Sequence, residues 1–409
     1  MALTKLNTYS LADDAITSAK IADDAVVTAS IADDAITSAL IADNAVVTAA
    51  IADDAVTSAK TTVSSPNRNL VINGAMQVAS RPVLTGQTGN NSSYGEVDRW
   101  YNEINAVGTY SVSQSTSVVP EGFPSSIEVK CTTADASLDA GSWGHLTYKF
   151  EGKDVQDFKK GTSSAIAFAL SFWVRSSKTG TYVVRIRDNT NARYFSKNYT
   201  ISSADTWEYK TIVFAADTTG AIANNTSSGM SLYFWYAAGT NYTSGSAMTG
   251  WSTTGTIAPS QVNLSDTVNA TFYLTGVKLE AASACTAFEM PSYTQELLKC
   301  QRYFWSIKAS DGTQYAFLLQ FAADTKDGWN PYWYLAFPVK MRVNPTLSLV
   351  GTLNTFNTNT GVSGNPQGLI TTYKNTQSCA IGIYQTSNGN GSYIHTNSTD
   401  DMIMFDAEL

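Results

Sequence analysis

The pattern of apolar positions divides the chain near residue 60. Up to that point the apolar side chains are small and recur every ten residues, in copies that begin at Leu11, Ile21, Ile31, Ile41 and Ile51. Each copy reads [Ile/Leu]-Ala-Asp-[Asp/Asn]-Ala-[Ile/Val]-[Thr/Val]-[Ser/Thr]-Ala-x. Beyond residue 60 the pattern changes to short runs that alternate or stay apolar, bounded by Gly, Ser, Thr, Asn and Asp. Ser126–Cys131, Gly144–Phe150, Ile166–Arg175, Gly180–Arg187, Trp207–Phe214, Met230–Tyr236 and Asn269–Leu279 are of this kind. Tyr315–Phe321, Trp333–Arg342, Thr346–Val350, Gly368–Tyr373, Cys379–Tyr384 and Met402–Leu409 continue the series. Period-two runs between turn residues predict strands. Asn69–Val78 reads as a further strand ending near a turn, and Glu296–Tyr303 as a short helix. The chain is expected to be mainly β, with an antiparallel sandwich as its centre.

The decads need a different account. A heptad coiled coil requires apolar residues every 3.5 positions, and an eleven-residue repeat gives its right-handed variant. Ten fits neither. Collagen is excluded because no Gly occurs in the first sixty residues. A mixed unit fits better: a β-branched strand segment such as Val26-Val27-Thr28, a Ser or Thr cap, one helical turn, and an Asp or Asn stop in the left-handed region. Such a unit encloses no core by itself, so neighbouring chains are its expected support. Residues 1–60 are therefore read as an oligomeric stalk with Ile21, Ile31, Ile41 and Ile51 at the interface. A disordered low-complexity linker is the alternative. Thr61–Asn67 is a linker by composition, 68–298 the sandwich, and 299–409 a smaller C-terminal β-domain.

Composition narrows the function. The net charge is −8, and residues 1–60, with nine Asp and three Lys, hold −6 of it. No basic patch points to nucleic acid. The four cysteines, Cys131, Cys285, Cys300 and Cys379, show no CxxC spacing and no neighbouring His, which argues against zinc or redox chemistry. The N-terminal residues lack a signal-peptide hydrophobic region and no run reaches membrane-spanning length, so assembly in a cytoplasm without membrane insertion is expected.

Asn69-Leu-Val-Ile-Asn-Gly, Val97-Asp-Arg-Trp, Phe150-Glu-Gly, Leu170-Ser-Phe-Trp-Val-Arg and Thr206-Trp-Glu occur in that order. Leu274-Thr-Gly-Val-Lys-Leu-Glu, Thr286-Ala-Phe-Glu and Glu296-Leu-Leu-Lys-Cys-Gln-Arg-Tyr come after them. Together they resemble a phage tail-fibre family whose jelly-roll domain is similar to carbohydrate-binding modules, over about residues 68–304. The resemblance implies a homotrimeric virion fibre, attached through its N-terminus to another virion protein and meeting a host surface glycan at its far end. It supplies no ligand residues. A purely structural capsid or baseplate fibre or decoration protein is the alternative, and a polysaccharide depolymerase a second.

Candidate chemistry is sparse. His145 and His395 have no nucleophile motif beside them. Paired carboxylates for glycoside cleavage could come from Glu96 with Asp98, or from Glu121, Asp135 and Asp139, yet such groups in polar loops are ordinarily solvated. No enzyme and no cofactor are expected, and structural calcium enters only through the resemblance to carbohydrate-binding modules. Aromatics in turns carry more weight, because sugar rings stack on exposed indole and phenol faces. Trp329 and Tyr332, in Asp327-Gly-Trp-Asn-Pro-Tyr-Trp-Tyr, and Trp251, in a Gly/Ser/Thr-rich loop, are the candidates for glycan binding.

Overall fold

The computed structural model describes residues 68–308, 317–320, 332–351, 353–357, 362–364, 369–383, 392–396 and 401–409. The decads with Ile21, Ile31, Ile41 and Ile51, the linker 61–67, and Trp329 lie outside the described residues. Residues 68–281 hold β1 (Leu84–Gln87), β2 (Asn90–Tyr94), β3 (Trp100–Asn105), β4 (Thr109–Ser115), β5 (Ser126–Thr133) and β6 (Trp143–Glu151). The same span continues with β7 (Phe168–Ser176), β8 (Gly180–Asp188), β9 (Arg193–Ile201), β10 (Glu208–Phe214), β11 (Ser228–Ala238) and β12 (Thr271–Ala281). They form two six-stranded sheets, a first in the order β1-β4-β5-β12-β7-β10 and a second in the order β2-β3-β6-β11-β8-β9. The expected β-sandwich is present.

Alternation builds its core. On β3, Trp100, Asn102 and Ile104 point inward and are buried, while Tyr101, Glu103 and Asn105 are half-buried. Phe172 and Val174 of β7 and Phe272 and Leu274 of β12 meet Leu232 and Phe234 of β11 and Val184 and Ile186 of β8 across the sandwich. The strand β11, central in its sheet, is buried on both faces along nearly its whole length. Arg193–Ile201 is a strand that the apolar pattern does not announce, because its outward positions are polar and only Phe195, Tyr199 and Ile201 mark the inward face.

The segment Asn69–Val78 corrects the expectation of a strand: residues 72–75 form a turn plugged into one end of the sandwich. Leu70-Val71-Ile72 is apolar because it is buried or half-buried, not because it pairs in a ladder. Asn69 Oδ1 accepts from the amides of Val71 and Leu279 at 2.9 and 3.1 Å, and its Nδ2 donates to the Val277 carbonyl at 3.0 Å. Asn73, fully buried with φ 58°, is the hub. Its side chain donates to the Val78 and Asp98 carbonyls at 2.8 and 2.9 Å and accepts from the Val78 amide at 3.0 Å. Its backbone accepts from the Trp100 indole at 3.2 Å and donates to Glu296 Oε1 at 2.6 Å. Asparagine tolerates the left-handed conformation and supplies both donors and an acceptor. Beside it, a Cβ on Gly74 would stand 2.2 Å from the Val277 carbonyl oxygen, so only glycine fits.

After the sandwich come the helix α2 (Tyr293–Gln301; the single turn Thr240–Thr243 is α1), β13 (Phe304–Lys308), β14 (Phe317–Gln320), β15 (Tyr332–Ala336) and β16 (Thr346–Val350). Ser292 caps α2 by accepting from the Gln295 amide. The chain closes with β17 (Leu353–Asn357), β18 (Val362–Gly364), β19 (Leu369–Lys374), β20 (Ser378–Ile383), β21 (Ser392–Thr396) and β22 (Met402–Asp406). The strand expected over Trp333–Arg342 stops at Ala336, two residues before Pro338. Small sheets β13-β22-β16 and β15-β20-β19 enclose a second core of Phe337, Met341, Ile381, Ile403 and Phe405. The four cysteines are free thiols, and all but the half-buried Cys285 are buried.

A buried ionic seam joins β22 and the last residues to the sandwich. Arg81 binds Asp406 at 2.8 Å and Glu408 at 3.1 Å, lies 3.7 Å from Asp98, and stacks over Phe304 at 3.8 Å. Arg99 binds Glu408 and lies 3.5 Å over the Tyr303 ring. Arg302 grips Glu151 through Nε and Nη2 at 2.9 and 3.0 Å, and the Tyr303 hydroxyl donates to the same carboxylate at 2.7 Å. Charges this deep are held because removing one partner strands the other. Burial raises Asp98 to about 7 despite the opposing pull of Arg81.

The turn and the seam each make a testable demand. Asn73→Ala leaves the Val78 amide and the Asp98 carbonyl unpaired in the core, at about 1–3 kcal/mol each, while the Val78 carbonyl keeps the Asp98 amide. A loss of about 3 kcal/mol or more in urea unfolding is expected, and a loss under about 1 kcal/mol would show that the turn is not what holds this end closed. For Asp98 the folded state binds its proton more tightly than the unfolded chain does. The stability linked to that proton is complete below the ordinary carboxylate range and is lost as pH rises through about 7. Asp98→Asn should therefore gain on the parent protein by on the order of 2 kcal/mol between pH 5.5 and pH 8. Parallel stability curves for the two proteins would contradict the assignment.

Candidate functional site

The outward face of the second sheet is buried along its central strands and reaches solvent only at half-buried rim residues such as Tyr101, Glu103 and Trp143, and pairing decides what stands there. One row runs Tyr101, Thr147, Tyr233, Arg185 and Ser196 across β3, β6, β11, β8 and β9. Glu103 pairs with His145 and His145 with Trp235 in the next row, and Trp143 of β6 stands beyond. On the other side lie Lys149, Ser231, Arg187 and Tyr194. Five strands distant in sequence thus place aromatic, hydroxyl and cationic groups on one surface.

The aromatics form a continuous cluster. Trp143 stacks on His145 with ring centroids 4.9 Å apart and planes 10° from parallel. His145 meets Tyr233 edge-on at 5.0 Å and Trp235 at 4.8 Å. Trp235 continues to Tyr242 at 5.7 Å. The buried members rest with Val183 and Ala258 in a small apolar layer, while Trp143 and Tyr242 are only half-buried. Burial and the adjacent Arg185 hold His145 well below the usual histidine range, so its imidazole is neutral, with Nδ1 2.9 Å from the Thr147 hydroxyl.

The loop from Gly239 to Val262 forms one wall. The Ala258 amide donates to the Tyr242 carbonyl at 2.9 Å, the Val262 amide to the Thr181 carbonyl at 2.9 Å, and the Tyr194 hydroxyl to the Gly255 carbonyl at 3.1 Å. Gln261 Oε1 accepts from the Val183 amide at 2.9 Å. On the opposite side half-buried Tyr101 and Glu103 open toward solvent, and Lys149 Nζ lies 3.9 Å over the Tyr101 ring.

Three polar atoms of this face are buried without a partner: Arg185 Nε, Trp235 Nε1 and Ser196 Oγ. Such atoms ordinarily find a hydrogen bond. The Arg185 guanidinium lies 4.0 Å over the Tyr233 ring and 5.4 Å from that of Trp235. The arrangement sets flat apolar rings beside buried donors that lack a partner, the two kinds of group that bind a polyhydroxylated ring.

Trp251 is placed differently. Its indole packs at 5.2 Å from Phe168 and 6.2 Å from Phe195, and Nε1 donates to the Ala215 carbonyl at 2.7 Å. Half-buried, it borders a depression of about 400 Å³ formed by residues 246–256, apart from the cluster above. Tyr332 lies on β15. The carboxylate candidates separate: Asp98 is 1% exposed within the ionic seam, and Glu96 accepts from the Gln114 amide at 2.7 Å. Among the described residues no group of three or more His, Cys, Asp or Glu is placed to hold a metal ion. The outward cluster escapes sequence reading because Trp143, His145, Tyr233 and Trp235 each look like core. The one signal is Leu232-Tyr-Phe-Trp-Tyr, apolar on both strand faces.

No family model and no curated protein matches the chain. Among solved structures it is similar to the enzymatically active domain of tailspike protein 4 of bacteriophage CBA120, at 14% identity and TM-score 0.28, over 52% of this chain and 21% of that one. It is also similar to a family 11 carbohydrate-binding module of Clostridium thermocellum (13% identity, TM-score 0.24, 48% of this chain and 97% of that one). A third is the module TmCBM61 in complex with β-1,4-galactotriose (10% identity, TM-score 0.26, 52% and 99%). At these identities and scores the similarity assigns no ligand or activity to this chain.

Proposed function

We propose that the chain is a phage virion fibre whose sandwich recognises a host surface glycan without cleaving it. The observation that carries the recognition is the outward face of the second sheet, where half-buried Trp143 and Tyr101 edge a buried aromatic layer in which Arg185 Nε and Trp235 Nε1 have no partner. A sugar resting on the half-buried rim of Trp143, Tyr242 and Tyr101 would meet ring surfaces, with the donors of Arg185 and Trp235 in the layer behind them. The virion role is supported by the sequence motifs from Asn69 to Tyr303. The structure gives two of them physical work: Asn69-Leu-Val-Ile-Asn-Gly is the buried turn, and the Arg of Val97-Asp-Arg-Trp lies in the ionic seam. The stalk proposal rests on the decads, whose small apolar positions need partners from other copies, and a trimer is what the family resemblance implies. Several weak sites on one fibre would act together through effective concentration. Against cleavage stands the sealed position of Asp98.

The test is an array of bacterial surface polysaccharides probed with the whole chain and with Trp143→Ala. The parent protein is expected to bind a subset. The variant should lose at least about tenfold in apparent affinity, since a stacked ring contributes about 1–3 kcal/mol. Its melting temperature should stay close to the parent's because Trp143 is only half-buried. No binding at all, or binding unaffected by Trp143→Ala, would overturn the reading.

A further inference from the structure

The same face carries a charge pattern that a neutral sugar does not explain. The protein is acidic, with a net charge of −8. Yet the charged residues at outward positions of β3, β6, β8, β9 and β11 are Lys149, Arg185 and Arg187 against Glu103 and Glu151, and Glu151 is already held by Arg302 and Tyr303. The bordering loop 239–265 contains no charged residue. Lys149 is already used, with Nζ 3.1 Å from the Leu409 carbonyl oxygen. Arg185 lacks a counter-ion: it is 7% exposed, its Nε has no partner, and among the described residues it forms no ion pair. Its guanidinium is hydrogen-bonded to the Tyr233 side chain and is otherwise faced by the rings of Trp235 and Tyr194 and by neutral His145, with half-buried Arg187 adding a second positive charge from the same strand. Elsewhere this chain pairs its deeply buried guanidinium groups, as Arg81 and Arg99 in the ionic seam show.

A buried charge without a counter-ion is costly unless a ligand completes it. The planar fork of a guanidinium matches an anionic oxygen pair, which a neutral hydroxyl cannot replace. We propose that this face selects an acidic glycan, with Arg185, backed by Arg187, receiving the carboxylate or phosphate of a sugar that rests against the Trp143–Trp235 aromatic layer. The proposal builds on the glycan-recognition reading and adds the substrate class.

The test uses the same array, enriched in pairs that differ only in charge: polygalacturonate and its carboxyl-reduced polymer, and a phosphomannan with its dephosphorylated form. The whole chain is expected to bind at least one acidic member at least tenfold better than its neutral counterpart. A preference confined to the first pair identifies a carboxylate, and one confined to the second a phosphate. Arg187→Gln, at a half-buried position where folding should survive, is expected to weaken that binding at least fivefold and to flatten its salt dependence. Arg185→Gln should abolish the charge preference in whatever fraction folds. Equal binding of charged and neutral members, with Arg187→Gln silent while Trp143→Ala still reduces binding, would overturn the acidic class and leave glycan recognition standing. Binding insensitive to all three substitutions would overturn both.

Discussion

The sandwich depends on one buried polar knot, the turn around Asn73. A left-handed residue at the end of a β-core brings amides and carbonyls into apolar surroundings, where each unpaired group is costly. Asn69 and Asn73 satisfy those groups with side chains that mimic the backbone, and in doing so they fasten several elements at once. Val277 holds β12, Trp100 and Asp98 hold the start of β3, and Glu296 holds α2. From α2 the chain passes directly into Arg302 and Tyr303, which clasp Glu151, and so into the second core. The knot therefore ties closure of the sandwich to the placement of the second core.

Much of this was legible in the sequence, and the exceptions have physical causes. Alternation located β5, β6, β7, β8, β10, β11 and β12, because a residue facing a core must be apolar wherever the opposite face can be polar. It failed at Leu70-Val71-Ile72, where burial comes from a plugged turn, and at Arg193–Ile201, whose outward residues are polar. The Glu296 segment was recognisable as a helix, although its Ser292 cap lies farther upstream than the apolar pattern reaches.

The candidate site was the least legible part. No short stretch contains it, since Trp143, Arg185, Tyr233 and Trp235 meet only through strand pairing. Exposed turns instead draw notice to Trp251, whose indole nitrogen is bound to the Ala215 carbonyl. A buried arginine such as Arg185 looks in sequence like any strand cation. Its lack of a counter-ion is a property of the assembled face alone.

The central claim, that the outward face of the second sheet receives the glycan, is tested most directly by the indole N–H resonances of the whole chain, assigned by single substitutions. On addition of a bound polysaccharide fragment, the Trp235 and Trp143 signals should shift, because Trp235 Nε1 gains a partner and Trp143 gains a ring contact. Those of Trp100 and Trp251, each already bonded to a carbonyl, should stay in place. Shifts confined to Trp305, Trp329 or Trp333, with Trp143 and Trp235 unmoved, would contradict the account and move recognition to the C-terminal region.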